Sequence, residues 1–164
     1  MSISLKPSYY IEKLSALTPQ MLKDIGVELL LMDLDNTISP YGEPNPTAKV
    51  LAWTENMKRN DIKLYIVSNS KKIRPDVFAK AMDIPFVKYA RKPSPKMVKF
   101  AAKEMGVGFE KTALVGDQIF TDVLAGNLAG VKSIVVEPIK FSNPFFKVRY
   151  LLEIPFRNMC KNKL

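Results

Sequence analysis

The segment that decides the fold is Leu29-Leu30-Leu31-Met32-Asp33-Leu34-Asp35-Asn36-Thr37. Four consecutive apolar residues run directly into two carboxylates one residue apart, followed by an amide and a hydroxyl. An apolar run bounded by polar residues is typical of a strand buried on both faces, as in parallel sheets. Open parallel sheets bind ligands beyond the carboxyl ends of their strands. We therefore predict a strand over residues 29–34, with Asp33 and Asp35 at the mouth of a site.

Strands and helices alternate along the rest of the chain. Further strands are predicted over residues 64–67, 84–87, 112–115 and 133–136. Helices are predicted to follow from Thr47, Ile73, Ser94 and Thr121, and a short one from Thr18 precedes the first strand. Repeated strand–helix units with short connections predict an α/β domain, a doubly wound, Rossmann-like parallel sheet with helices on both faces. We expect a single domain over residues 1–164, with its core at about 25–136.

Composition narrows the chemistry. The 164 residues contain no histidine and one cysteine, Cys160, and carry a formal net charge of +9. Without histidine, Ser–His and Cys–His nucleophiles and His-ligated metal sites are excluded. One cysteine leaves no disulfide framework, which fits a reducing compartment. No secretion signal is recognisable, and no apolar run reaches the roughly 20 residues that cross a bilayer. We expect a cytoplasmic protein with an anionic partner.

Polar side chains follow the predicted strands at one end of the sheet. Besides Asp33 and Asp35 they are Ser68, Asn69, Lys92, Asp117 and Asp122. Parallel strands end side by side, so these groups are expected to converge. Facing carboxylates repel unless a cation joins them, and all-oxygen ligands suit Mg²⁺. Lysine and hydroxyl groups bind phosphate, and a carboxylate can attack phosphorus while its neighbour moves the proton.

Four motifs in this order resemble those of the haloacid dehalogenase (HAD) phosphohydrolases. They are Asp33-Leu34-Asp35-Asn36-Thr37, Ser68, Lys92, and Gly116-Asp117-Gln118-Ile119-Phe120-Thr121-Asp122. The flanking residues look like subfamily IIIA, and within it they are similar to the bacterial YqeG proteins and the related phosphatidylglycerophosphate phosphatases. The resemblance implies a phosphatase that uses Mg²⁺ and an aspartyl-phosphate intermediate.

The same resemblance implies a role for each matching residue. Asp33 would be the nucleophile and a metal ligand, and Asp35 the general acid/base, with its backbone carbonyl also on the metal. Asp117 would complete the protein ligands and Asp122 would support them. The phosphoryl group would be held by Ser68 and Lys92, with Asn69 nearby. Thr37 would maintain the loop geometry.

The spacing of the motifs bears on the substrate. Neither the interval from Asp33 to Ser68 nor that from Ser68 to Lys92 has room for a cap domain. An uncapped site favours a bulky substrate, and phosphatidylglycerophosphate is preferred here. A soluble phosphate ester or a phosphoprotein is the alternative within the same chemistry. A phosphoacceptor receiver-type signalling domain, which also uses Asp, Mg²⁺, Ser/Thr and Lys, is the alternative of another class. No nucleic-acid partner is expected.

The tail, residues 137–164, differs from the core. It interleaves aromatic and basic residues and has one acid beyond residue 140, Glu153. This pattern is typical of an interfacial membrane segment, and a helix packed on the sheet with a solvated basic end is the alternative. Pro144 and Pro155 predict that no single long amphipathic helix spans the tail. Peripheral contact with the inner face of the membrane is thus expected only if the first interpretation holds, and the oligomeric state stays open.

Overall fold

The computed structural model describes residues 3–141 and 143–164. Residues 1–2, and position 142 of the predicted tail, lie outside the described residues. The strands are β1 (Tyr9–Ile11), β2 (Leu29–Met32), β3 (Lys63–Val67), β4 (Phe86–Val87), β5 (Thr112–Gly116) and β6 (Lys132–Val136). The helices are α1 (Pro19–Asp24), α2 (Ala48–Arg59), α3 (Arg74–Met82), α4 (Lys96–Glu104), α5 (Leu124–Ala129) and α6 (Pro144–Asn158).

All six strands form one sheet in the order β1-β6-β5-β2-β3-β4, and every pairing is parallel. Successive residues of β2 face opposite sides, as the pleat requires. Leu30 and Met32 pack with residues of α1, α2 and α3. Leu29 and Leu31 pack with residues of α4 and α5 on the other side. The predicted three-layer, doubly wound α/β fold is confirmed.

The order of the strands reverses between β2 and β5. From β2 the chain proceeds outward through β3 to β4, whereas β5 and β6 extend the sheet in the other direction. Such a reversal opens a crevice beyond the carboxyl ends of the two strands, where ligands of this fold class bind. Residues 33–92, all of them described, hold only loops, α2, β3, α3 and β4, so this interval contains no cap domain.

Several boundaries differ from prediction. The first predicted strand ends at Met32, which leaves Asp33 and Leu34 beyond it, and the 84–87 strand is limited to Phe86–Val87. The helix predicted from Thr121 begins as a π-helical turn over Ile119–Val123 and continues as α5. β1 was not predicted, because three residues are too few for alternation to be read. It pairs with β6 at the sheet edge.

The helix predicted from Ile73 is α3, and its buried face is not the stripe formed by Ile73, Val77 and Ala81. Ile73 precedes the first helical residue and is 71% exposed. The buried residues of α3 are Pro75, Phe78, Ala79 and Met82. This second stripe has equally good helical spacing and carries the larger side chains, so its burial removes more apolar surface from water.

The prediction that Pro144 and Pro155 prevent one long helix in the tail is wrong. Residues Pro144–Asn158 form one helix, α6. Pro144 occupies the first turn, where its missing N–H has no intrahelical partner to lose, and the Asn143 side chain caps the turn by accepting from the Phe146 N–H. Pro155 lies near the carboxyl end, and the buried Glu153 and Arg157 on either side of it hold the last turns against the core.

Candidate active site

Three carboxylates meet at the crevice between β2 and β5. Asp33 lies directly beyond β2, where its backbone N–H donates to the Val115 carbonyl over 2.9 Å. Asp117 directly follows β5, and Asp122 lies in the π-helical turn that comes next. Carboxylate oxygens of Asp33, Asp117 and Asp122 lie within 4.8 Å of one another, and all three residues are buried.

Lys92 inserts its ammonium group between two of these acids. Its Nζ lies 2.7 Å from an oxygen of Asp33 and 2.7 Å from an oxygen of Asp122, and the side chain is buried. The Asn69 amide fixes the backbone at this point, accepting from the Lys92 N–H over 2.7 Å and donating to the Lys92 carbonyl over 3.0 Å. Asn69 therefore positions Lys92, and its side-chain oxygen and nitrogen are both engaged in doing so.

The Asp122 carboxylate packs closely against the backbone at Gly116. Its Oδ2 accepts the Gln118 N–H over 3.1 Å. A Cβ at Gly116 would stand 2.2 Å from the Asp122 side chain, so any other residue there would displace the carboxylate. The glycine at the end of β5 thus lets Asp122 fold back under the strand end toward Lys92.

Burial changes how these acids titrate. Loss of hydration raises the pKa of Asp33 to about 7, against the opposing charge of Lys92. The pKa of Asp117 is raised well above its usual value, first by burial and then by the charges of Asp122 and Asp33. Three acids against one lysine leave the cluster with excess negative charge when all are ionised, so it favours a bound cation.

Asp35 faces a different partner. Its carboxylate is paired with the Arg74 guanidinium from the start of α3. Arg74 also donates to the carbonyls of Pro40 and Glu43, which ties the loop after β2 to this helix. Burial raises the pKa of Asp35, and the charge of Arg74 is the largest opposing effect. The two carboxylates of the Asp33-Leu34-Asp35 segment therefore occupy distinct electrostatic environments.

The two hydroxyl residues of the predicted site are both buried. Ser68 lies just beyond β3, and its Oγ accepts the Ser70 N–H over 3.1 Å, which leaves its own proton to donate elsewhere. Thr37 is buried at the turn of the loop, and across residues 3–141 and 143–164 its Oγ1 has no hydrogen-bond partner.

Two arginines of this region were missed by sequence reasoning. Arg74 followed Lys71 and Lys72 in a basic run that gave no signal beyond net charge. Arg157 belongs to the tail, yet it is buried and donates to the carbonyls of Asp117 and Val136. It also pairs with Glu153 at 3.5 Å. The carboxyl-terminal helix is therefore part of the framework that holds the loop beyond β5.

The donor set fits a hard divalent cation. Neither carboxylate oxygen of the buried Asp117 has a hydrogen-bond partner in the described part of the chain. A buried, unpartnered carboxylate is costly unless a cation joins it. Carboxylate ligands without histidine or cysteine suit Mg²⁺, which retains several waters in such sites. Asp33 and Asp117 are the residues placed to hold it.

Comparisons with known proteins agree with this geometry. A family model described as HAD-hydrolase-like matches residues 89–140. Over 139 residues the chain is 37% identical to the Bacillus subtilis protein named "Probable phosphatase YqeG", covering 85% of this chain and 81% of that protein.

Solved structures share the fold. The cobalt-bound deoxy-D-mannose-octulosonate 8-phosphate phosphatase of Haemophilus influenzae superposes with a TM-score of 0.56 at 14% identity, covering 85% of this chain and 78% of that one. The corresponding enzyme of Moraxella catarrhalis, in complex with magnesium, phosphate and KDO, gives 0.52 at 15% identity, covering 87% and 94%. The expected family and enzyme class are confirmed: the chain belongs to the HAD-like hydrolases, among the phosphatases related to YqeG.

Proposed function

We propose that this protein is a Mg²⁺-dependent phosphomonoesterase that works through a phosphoryl group carried on Asp33. The observation that carries the proposal is Lys92, which bridges Asp33 and Asp122 beside the unpartnered carboxylate of Asp117. Lys92 supplies a fixed positive charge where a phosphoryl oxygen would lie next to the attacking carboxylate. Charge aimed at the transferring group is usually the largest catalytic contribution.

We assign one residue to each step of the proposed reaction. An oxygen of Asp33 attacks phosphorus, and the bond between phosphorus and the leaving-group oxygen breaks. Asp35 gives a proton to the leaving-group oxygen as this bond breaks. Asp35 then accepts a proton from water as the water attacks phosphorus and releases Asp33. Ser68 donates its hydroxyl to the phosphoryl oxygens alongside Lys92. The metal, when bound, neutralises negative charge on the phosphoryl group.

The favoured substrate is a lipid phosphate monoester, phosphatidylglycerophosphate. Two features support it. Residues 33–92, all described, hold no cap domain over the crevice. In addition, α6 presents an outer face, defined here as Phe145, Val148, Leu151 and Leu152, in which every residue is more than half exposed. At the start of α6, the Phe146 ring packs 6.2 Å from that of Tyr41, in the loop that follows β2. The apolar face thus begins beside the mouth of the site.

Charge on α6 fits an anionic bilayer surface. The helix has a single acid, Glu153, and this is buried against the core. Lys140 and Lys147 are exposed near its start, and Lys161 and Lys163 follow its end. Apolar side chains flanked by lysines bind interfaces that contain anionic lipid. In the described parts of the chain every helix is too short or too polar to cross a bilayer, so the proposal is peripheral contact.

Phosphatase activity is tested first, and the preferred substrate second. Purified protein with Mg²⁺ is expected to release phosphate from an aryl phosphate, and Asp33→Asn to lose at least about 10³-fold. Asp61→Asn is the matched control, since that exposed residue follows α2 and asparagine tolerates its positive φ of 63°. Equal activity of wild type and Asp33→Asn would refute the nucleophile.

The lipid substrate has its own test. Turnover of phosphatidylglycerophosphate in vesicles is expected to exceed that of small sugar phosphates and of a phosphopeptide, and the protein is expected to float with anionic liposomes. Preference for a soluble ester or the phosphopeptide would replace the lipid with that substrate while leaving the chemistry intact. A phosphoenzyme that persists far beyond seconds would instead indicate a receiver-type role.

A further inference from the structure

A cavity of about 460 Å³ opens at the carboxyl ends of the strands, as the active site does, beside the loop that carries Asp33 and Asp35. Its walls are mainly apolar and come from Leu14, Ile38, Val50, Trp53, Pro138 and Ile139. This volume lies within the range of ordinary small-molecule sites, which are mostly apolar with a few placed polar groups.

The loop that carries Asp33 and Asp35 forms part of the cavity wall. Thr37 and Ile38 line it, and they follow Asp35 by two and three residues. Ile139, another lining residue, donates its N–H to the Asn36 carbonyl over 3.2 Å. A molecule in the cavity therefore touches the same short loop from which both carboxylates project.

The cavity is a preformed space between walls that contacts within the chain hold in place. Trp53 Nε1 on one wall donates to the Leu17 carbonyl over 2.9 Å. Small-molecule sites are usually formed in this way before the ligand binds.

Charge at the rim fits an anionic amphiphile. Lys13, Lys49 and Glu12 are exposed there, and Glu137 is half-buried. Glu137 is already engaged, because it accepts from the Tyr150 hydroxyl over 2.6 Å and pairs with an arginine of α6. The two lysines are thus opposed by one exposed carboxylate.

We infer that this cavity binds the hydrocarbon part of the phosphate ester whose phosphoryl group lies at Asp33. The inference rests on the proposed function and adds to it a location for the apolar portion of the substrate. The cavity selects for chain length, because each methylene buried in it strengthens binding by up to about fourfold. Substrate recognition is then divided between Lys92 at the phosphoryl end and Trp53 at the hydrocarbon end.

The experiment uses linear alkyl phosphates from butyl to decyl, kept below their micelle-forming concentrations. KM is expected to fall at least about tenfold across the series while kcat changes little. Trp53 is the single tryptophan of the chain, so its emission reports occupancy directly. Decyl phosphate is expected to shift that emission in Asp33→Asn, where turnover does not interfere, and butyl phosphate is not.

Val50→Phe fills the cavity from α2 and is expected to abolish both the emission shift and the chain-length dependence. Ile139→Asn, a second variant from the segment that follows β6, is expected to weaken both, which covers misfolding of the first. The matched control is Val148→Phe, the same change at a residue that is 56% exposed on α6.

The outcomes separate the two proposals. Aryl phosphate turnover with a flat KM across the series and no emission shift would overturn the cavity assignment and leave the phosphatase intact. An emission shift that survives Val50→Phe and Ile139→Asn would also overturn it. An emission shift abolished by Val50→Phe, with no phosphate released from any ester, would support the hydrocarbon site and refute the proposed function.

Discussion

At the scale of single residues, the site contains buried carboxylates whose negative charge is not fully balanced unless a cation binds. Lys92 pairs with two of the three clustered acids but offsets only one negative charge, and Asp117 remains without a hydrogen-bond partner in the described chain. A protein that buries a carboxylate in this way loses stability in the metal-free state. Binding of a cation to these carboxylates restores the stability of the folded protein.

Asp117→Asn separates metal binding from folding. Removing one buried negative charge is expected to raise the Mg²⁺ concentration needed for half-maximal activity by about tenfold or more. The same change is expected to raise the melting temperature of the metal-free protein, because burial and the neighbouring acids disfavour the ionised form. Mg²⁺ titration of activity and thermal unfolding in EDTA measure the two effects.

Asp61→Asn, with the same chemical change outside the site, is expected to alter neither quantity. An unchanged Mg²⁺ requirement in Asp117→Asn would exclude Asp117 from the metal ligands.

Arg74→Gln tests the environment of Asp35. Arg74 lowers the pKa of Asp35 against the effect of burial, so its removal raises that pKa. The limb of the pH–rate profile that reports Asp35 is therefore expected to move to higher pH, by about one unit. Arg59→Gln on the exposed side of α2 is the control. A profile that keeps its shape while kcat falls would assign Arg74 a purely structural role.

At the scale of elements, α6 connects the tail to the strand ends. Its Arg157 donates to the carbonyls of Val136, the last residue of β6, and of Asp117, which follows β5. Arg157 also pairs with Glu153 one helical turn earlier. The helix therefore buries one polar stripe and exposes one apolar stripe. This is the reverse of an ordinary surface helix, and it leaves the outer face available for contact.

Arg157→Met is expected to destabilise the protein by about 3 kcal/mol, because it leaves buried carbonyls and Glu153 without their partner. Activity at low temperature is expected to fall as well, since the Asp117 loop loses its anchor. Chemical denaturation measures the first effect, with Lys161→Met as the exposed control. A loss within about 0.5 kcal/mol would place Arg157 among ordinary surface residues.

How far the sequence predicts each element depends on the range of the contacts that form it. The buried run at Leu29–Met32 is explicit in the sequence, because four apolar residues must be covered on both faces. The buried face of α3 cannot be predicted from the sequence, since two stripes of apolar residues have helical spacing and only packing chooses between them. Arg74 and Arg157 have no sequence signal, because each acts on a backbone carbonyl or carboxylate more than 30 residues away.

At the scale of the whole molecule, the acidic cluster makes folding stability depend on pH and metal together. The pKa of Asp33 is raised to about 7 and that of Asp117 is raised well above its usual value. The native state therefore holds protons that the unfolded chain releases above about pH 4. Stability of the metal-free protein is expected to fall as pH rises from about 4 to about 7, since the unfolded state binds fewer protons there.

Mg²⁺ reverses this trend because it binds the ionised carboxylates. Thermal unfolding at pH 5 and pH 8, each in EDTA and in Mg²⁺, measures the effect. The stabilisation by Mg²⁺ is expected to be larger at pH 8. A metal-free protein that is more stable at pH 8 than at pH 5 would contradict the assigned charges.

The phosphoryl group is proposed to pass through Asp33, and trapping it on that residue tests the proposal most directly. Protein turning over a phosphate ester with Mg²⁺ is quenched and treated with borohydride, which reduces an acyl phosphate to an alcohol and marks the modified residue for mass spectrometry. The mark is expected at Asp33, dependent on substrate and Mg²⁺. Continued turnover with the mark at another residue would contradict it.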